Sequence, residues 1–209
     1  LRFDNDVGQG TVRNIEFDNG ISLLDFDVTL SKDVKLCFDA SDVSPVKFLF
    51  ISEGTLKYSA RYTEKPIAFE QFQNVIVSQE RLSKRGHAYT ASKRLKMSCI
   101  RVCRKAYLKK KNNNVKYLDK MLERVFNDKK GDATYTHQGG FSLKIADEIK
   151  KLNDIRGEGI FRTLSIEGRT YLILALQLHE HHIFETDDGL PHSLSKKDLK
   201  KIHELSDFI

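Results

Sequence analysis

The densest chemistry in the chain is the run Leu-His-Glu-His-His, where His179, Glu180, His181 and His182 follow one another. His179 and His182 stand three apart, so on a helix both imidazoles reach one face and could share a metal ion. A His-Glu-x-x-His zinc protease site needs its two histidines four apart, which this run does not provide. A polar helix C-terminus accounts for the same residues, because imidazoles suit the negative end of the helix dipole. His137, just before Gly139-Gly140, is expected in a solvated loop. Cys37, Cys99 and Cys103 make no paired framework, and an odd count in a Lys-rich chain implies reduced thiols and a cytoplasmic protein. Cys99 and Cys103 sit among Ile100 and Val102 and are expected as core thiols. The chain has no Gly-x-Ser-x-Gly elbow, no P-loop and no dinucleotide fingerprint. It is therefore assigned no catalytic residue, no cofactor and no metal.

The elements that carry these residues change character along the chain. The first half reads as strands. "GISLLDFDVTL" and "DVKLCFD" carry spaced apolar residues, and "VKFLFIS" is a continuous apolar run that suits a strand covered on both faces. Glu53-Gly54 marks a turn. In "TLKYSARY", Leu56, Tyr58, Ala60 and Tyr62 face one way and Lys57, Ser59 and Arg61 the other. "FQNVIVS", "HAYTAS" and "LKMSCIRVC" complete a set of short strands that argues a sandwich or barrel. The tract "LKKKNNN", Leu108 to Asn114, breaks the pattern. The period then moves to about 3.6 residues. Tyr117, Leu118, Met121, Leu122, Val125 and Phe126 form one stripe, and Phe141, Leu143, Ile145, Ile149 and Leu152 another. A long helix is expected from Ile160 to about Phe184. Its middle, "YLILALQL", is apolar nearly all round and must pack on the barrel or between subunits.

Charge is unevenly placed. Arg81 to Lys116 holds thirteen Lys or Arg and no acid, so with a total of +6 the remainder is −7. Such a block could contact nucleic acid, or be the solvated faces of strands and a loop. No apolar run approaches the ~20 residues of a membrane span. A metal-binding cupin barrel needs two closely spaced histidines and a carboxylate on one strand, with a third histidine later. The β region offers only His87. A small-molecule pocket describes such a barrel better than an active site. Tyr58, Tyr62, Tyr89 and Met97 could line it, and Arg61 or Arg101 could meet an anionic group.

The order of parts resembles the AraC-type transcriptional regulators, in the branch of siderophore-responsive regulators. "GQGTVRNIEFDNGISLLDFDVTL" is similar to that branch's opening, and "FLFISEGTLKY" to its strand–Gly–strand hairpin. "GIFRTLSIEGRTYLILALQLHEH" is similar to its long helix: Arg162, Leu164, Glu167 and Arg169 fit, while Gly168 stands where Ala is more usual. "LSKKDLKKIHELSDFI" resembles the segment that leads into the family's DNA-binding domain. By its residues alone it is an amphipathic helix, with Ser195 as N-cap and Leu199, Ile202, Leu205 and Phe208 on one face.

The resemblance implies an α+β fold: a cupin-like β-barrel (double-stranded β-helix) over residues 1–107, an α-helical dimerisation region over 108–185, and a linker with the start of the next helix over 186–209. It implies a sensor of a small effector, anionic or siderophore-like, that forms a homodimer. Leu164, Tyr171, Leu174 and Leu178 are the candidate dimer contacts. Promoter DNA would be bound by helix-turn-helix motifs following Ile209, so the chain is expected to be a fragment, as its non-methionine start also suggests. The role is regulatory rather than enzymatic and cytoplasmic, with no membrane partner. The alternative is a cupin-type enzyme acting on a small polar or anionic metabolite.

Overall fold

Strands with one apolar face need covering once, whereas strands apolar on both faces must lie between two layers. This chain builds both kinds. The computed structural model describes residues 1–36, 45–59, 65–79, 88–91, 94–110 and 113–186. In chain order these form β1 (Arg2–Asn5), β2 (Gly8–Glu16), β3 (Ile21–Leu30), β4 (Val34–Leu36), β5 (Val46–Glu53), β6 (Leu56–Ser59), β7 (Ile67–Phe69), β8 (Gln73–Ser78), β9 (Ala88–Ala91) and β10 (Arg94–Val102). Then come α1 (Arg104–Tyr107), a 3₁₀ turn (Val115–Tyr117), α2 (Lys120–Asn127), β11 (Tyr135–Phe141), α3 (Leu143–Asn153) and α4 (Gly159–Thr186). The expected terminal helix at Leu194–Ile209 lies outside the described residues.

The strands make two antiparallel sheets. One has seven strands in the order β1-β2-β3-β10-β5-β8-β11, the other four in the order β4-β9-β6-β7. They face each other across an apolar layer. Leu24, Phe26, Leu49, Ile51, Val75, Met97 and Cys99 of the large sheet meet Leu56, Tyr58 and Phe69 of the small one. A two-sheet sandwich therefore stands where a barrel was expected; among the described residues the strands do not close into one. Gly54 makes the tight link from β5 to β6 at φ 89°, and a Cβ there would come within 2.1 Å of the Arg94 carbonyl oxygen. Only glycine fits that turn.

The far face of the large sheet carries the helices. Ile21, Leu23, Phe48, Phe50, Ile76 and Ile100 pack against Leu122, Phe126, Ile145, Leu152, Ile166 and Ile173. Helices α2 and α3 each have a side-chain cap. Asp119 Oδ1 accepts from the Met121 and Leu122 amides at 2.9 and 3.0 Å, and Ser142 Oγ accepts from Ile145 N at 3.1 Å. Both side chains satisfy donors that the first helical turn leaves open. No described helix is long and apolar enough to cross a membrane.

The region 108–185 is not all helix. Residues 135–141 form β11, which pairs antiparallel with β8 from Tyr135 opposite Ser78 to Gln138 opposite Val75. A register shift follows before Phe141 meets Gln73. His137, expected in a solvated loop, is a buried residue of this strand.

The middle of α4 is tied to the sheet by a buried amide pair. Asn74 Nδ2 donates to the Gln177 carbonyl at 3.1 Å, and Gln177 Nε2 donates to Asn74 Oδ1 at 3.2 Å and to the Leu49 carbonyl at 3.4 Å. Both residues are almost wholly buried. Removing one amide leaves the other unsatisfied, which costs about 1–3 kcal/mol. A double-mutant cycle of Asn74→Ala and Gln177→Ala, measured by urea unfolding, is therefore expected to give a coupling of about 1 kcal/mol or more. Additive effects would show that the two amides do not hold the helix together with the sheet.

Candidate functional site

The interlayer face of the large sheet is apolar along most of its length and cationic at one end. Register makes the row. Arg101 of β10 lies opposite Ser22 of β3 on one side and opposite Lys47 of β5 on the other. Lys47 lies opposite Val77 of β8, which in turn faces Thr136 of β11. Because side chains alternate, Lys47 and Arg101 share the face of Leu49, Met97 and Cys99. Lys47 is 2% exposed, and its Nζ donates to Gln79 Oε1 at 2.6 Å. Arg101 donates to Ser22 Oγ at 3.0 Å and to Asn14 Oδ1 at 2.6 Å. Tyr58 from the small sheet completes the end, with its hydroxyl in hydrogen-bonding reach of Gln79 and Thr136. A hollow of about 290 Å³ opens beside Arg101, between Glu16, Ser22, Pro45 and Cys103.

Burial sets the chemistry of this end. Taking an ammonium out of water disfavours its charge, and burial pushes Lys47 down to about 8, with Arg101 acting the same way and Cys99 opposing. Burial raises the Cys99 thiol to about 11, so it is an inert core group. Cys103 is only half-buried, at the start of α1. Two cations side by side, one of them desolvated, favour an anion or a polar oxygen as third party.

Of the expected pocket residues, Tyr58, Met97 and Arg101 come together on this interlayer side. Tyr58 and Met97 are fully buried, the Tyr58 ring stacking on Phe69 at 5.6 Å. Tyr89 lies in β9 opposite Tyr58, with its side chain outside the described residues; Arg61 and Tyr62 fall outside them altogether. Lys47 and Gln79 were missed. The available signal was a lysine inside the continuous apolar run of β5. The basic block is partly internal. Arg94 pairs with Asp27 and Glu53 at 2.5 and 3.0 Å, and Arg104 is buried and pairs with Asp128 at 3.3 Å.

A second polar cluster lies on the opposite face, where β11 meets α4. The Tyr135 hydroxyl is 2.7 Å from His181 Nε2, and His181 Nδ1 is 3.0 Å from Asp119 Oδ2. His137 and His181 meet edge to face with centroids 4.3 Å apart, and His137 Nδ1 is 3.5 Å from Glu185 Oε1. Burial lowers both imidazoles, His137 to about 4 with His181 adding to the shift, so both are neutral at pH 7. His179 and His182, the pair singled out by spacing, point to solvent, and the inward residue of the run is His181.

The expected dimer contacts separate in the same way. Leu174 is 4% exposed and packs in the chain's own helix-side core. Tyr171 is half-buried, hydrogen-bonded to Asn19 and donating to Glu167 at 3.2 Å, and Leu178 is half-buried. Leu164 is exposed, and with Phe161, Leu172, Ala175 and Ile183 it makes an outward apolar stripe. On that stripe Gly168 has open space above it.

Lys47 yields a pH test. Its folded pKa, about 8, lies below its unfolded value of 10.5. Between these pH values the unfolded chain holds the extra proton, so stability rises with pH across the window. Wild type is expected to gain on Lys47→Met by up to about 3 kcal/mol from pH 8 to 10.5, measured by urea unfolding. A difference independent of pH would mean that the ammonium is not desolvated.

No family model matches the chain, and no curated protein matches it. Among solved structures it is similar to the AraC-like transcriptional activator CuxR, at 8% identity over 97% of this chain and 66% of that one, with a TM-score of 0.47. It is similar to ToxT from Vibrio cholerae at 12% identity over 90% of this chain and 66% of that one, with a TM-score of 0.40. A third likeness is to vicilin from hazelnut, Corylus avellana, at 13% identity over 75% of this chain and 50% of that one, with a TM-score of 0.30. The chain spans 66% of the length of each of the two activators. None of these likenesses assigns a role to a residue of this chain.

Proposed function

We propose that this chain is the effector-sensing and dimerisation part of an AraC-type transcriptional regulator. Its effector would be a small anionic or siderophore-like molecule, and its DNA-reading helices would be joined through the segment Leu194–Ile209. The observation that carries the proposal is that one sheet has two unlike faces. The face with Lys47 and Arg101 offers a cationic end to a ligand, and the opposite face holds α4, whose outer side is apolar. A ligand that favours one packing of the strands biases the helix packed on them. A second copy of the chain is the natural cover for Phe161, Leu164 and Leu172, and Gly168 lets two helices approach closely. The assembly acts as a cytoplasmic homodimer on promoter DNA.

Sedimentation at micromolar concentration is expected to show a dimer. Leu164→Glu should weaken it by at least about tenfold while circular dichroism and thermal midpoint stay as in wild type. Leu174→Glu instead buries a carboxylate in the chain's own core and should destabilise the fold by about 4 kcal/mol or more. A monomeric wild type, or a dimer unchanged in Leu164→Glu, would remove the interface assigned to this helix. For the effector, a thermal-shift panel of anionic metabolites is expected to yield a stabilising compound whose effect is lost in Lys47→Met and Arg101→Met. Equal shifts in those variants would place the ligand elsewhere.

A further inference from the structure

The cluster between β11 and α4 contains more than packing requires. His137 is 6% exposed, and its Nε2 has no hydrogen-bond partner. Leaving a buried polar atom unmade costs about 1–3 kcal/mol, so native folds rarely do it without a use. Its other nitrogen, Nδ1, faces the Glu185 carboxylate at 3.5 Å. One ligand atom from each of His137, His181 and Glu185 can be chosen so that all three lie within 4.8 Å of one another. Around a tetrahedral zinc with bonds of 2.0–2.1 Å, neighbouring ligand atoms are about 3.3 Å apart. The set is thus close to ligating distance. Glu185 can close the remainder, because its side chain is 38% exposed at the end of α4.

The surroundings are arranged as a metal site arranges them. Asp119 uses Oδ1 to cap α2 and leaves Oδ2 buried, without a hydrogen bond, 3.0 Å from His181 Nδ1. His181 Nδ1 is likewise buried without a hydrogen bond. A carboxylate that accepts from the far nitrogen is what holds a ligating histidine in one tautomer, and a small turn of the His181 ring would make that bond and leave its other nitrogen for the metal. That other nitrogen, Nε2, meets only the Tyr135 hydroxyl, a neutral group that can swing aside or remain as a hydrogen-bonding neighbour. Space is kept by Gly139, where a Cβ would come within 3.0 Å of His137 Nε2 and 3.1 Å of the Asn74 carbonyl oxygen.

We propose that His137, His181 and Glu185 bind one divalent metal ion of the zinc class and so clip the C-terminal end of α4 to β11. Two imidazole nitrogens and one carboxylate oxygen are the donor set that zinc takes with three protein ligands, leaving a fourth position open. His181 and Glu185 lie one helical turn apart on α4, and His137 comes from the sheet, so the ion would join the helix end to the edge strand. The site stands apart from the interlayer end and does not depend on the regulatory reading.

The test is calorimetric titration of the untagged, chelator-stripped chain with zinc ions alone. One equivalent is expected to bind with micromolar or tighter affinity, to raise the thermal midpoint, and to slow amide exchange over residues 180–186. Glu185→Gln, at an exposed side chain that the fold does not need, should weaken zinc by about tenfold or more, as should His137→Gln. In wild type, cobalt(II) should give a tetrahedral d–d band that both variants lose. His179→Gln, on the outward face of the same helix, should leave the affinity unchanged. The proposal is overturned if the wild-type chain takes up no stoichiometric zinc, or if Glu185→Gln and His137→Gln bind it as wild type does.

Discussion

The central strands of the seven-stranded sheet are buried on both faces, and everything else in the molecule answers to that constraint. In β5, Val46, Phe48 and Phe50 meet the helices, while Lys47, Leu49 and Ile51 meet the small sheet. Neither layer can leave without exposing half of each such strand. At about 25 cal/mol per Å² of apolar surface, uncovering one leucine side chain alone costs about 2 kcal/mol. The small sheet and the helices are therefore coupled through side chains that alternate along the same backbone, with no direct contact required. A change of register would turn both faces over at once, so the two-sided burial also fixes which residues lie on the cationic side.

That constraint explains how Lys47 can be where it is. It occupies a position that an aliphatic residue would fill at less cost, and its burial lowers its pKa. Gln79 accepts from its Nζ and the Tyr58 hydroxyl is close by. A buried polar group of this kind is tolerated when it is satisfied, and it then specifies the arrangement of its neighbours more sharply than an apolar residue would.

Much of this was legible in the sequence where the pattern is strong. The continuous run of β5, the alternation of β6, the Glu53-Gly54 turn and the long helix all follow from side-chain period and the turn preference of glycine. The strand β11 was not legible. "YTHQGGF" offers no apolar alternation, because its inward residues are Tyr135, His137 and Gly139 and because it joins an existing sheet instead of nucleating one. The sequence pattern around His137 therefore reads as a solvated loop, and spacing within one helix cannot show that His181 and Glu185 meet a histidine from a strand. Strand number and spacing left sandwich and barrel open, because they do not determine whether two sheets stay separate, and the barrel was what the resemblance implied. The dimer contacts were chosen as apolar residues on the long helix, but sequence period alone could not say which of its two apolar sides the sheet would take.

Helix α4 shows why that choice was hard. Its sheet-facing stripe runs Ile166, Thr170, Ile173, Leu174, Gln177 and His181, in which three of six residues are polar and at most 1% exposed. Its outward side carries Phe161, Leu164, Leu172, Ala175 and Ile183, all exposed and apolar, with Ser165, His179 and His182 exposed among them. A surface helix usually has the opposite arrangement. The inward polar groups are engaged at fixed points: Gln177 with Asn74 and Leu49, and His181 with Tyr135. Apolar contacts alone would let the helix slide along the sheet by a turn at little cost, whereas directional bonds give it one axial position. The five exposed apolar side chains are spread over about six turns of the helix. The polar residues thus serve to hold the helix in register on the sheet, a task that apolar packing alone does not perform.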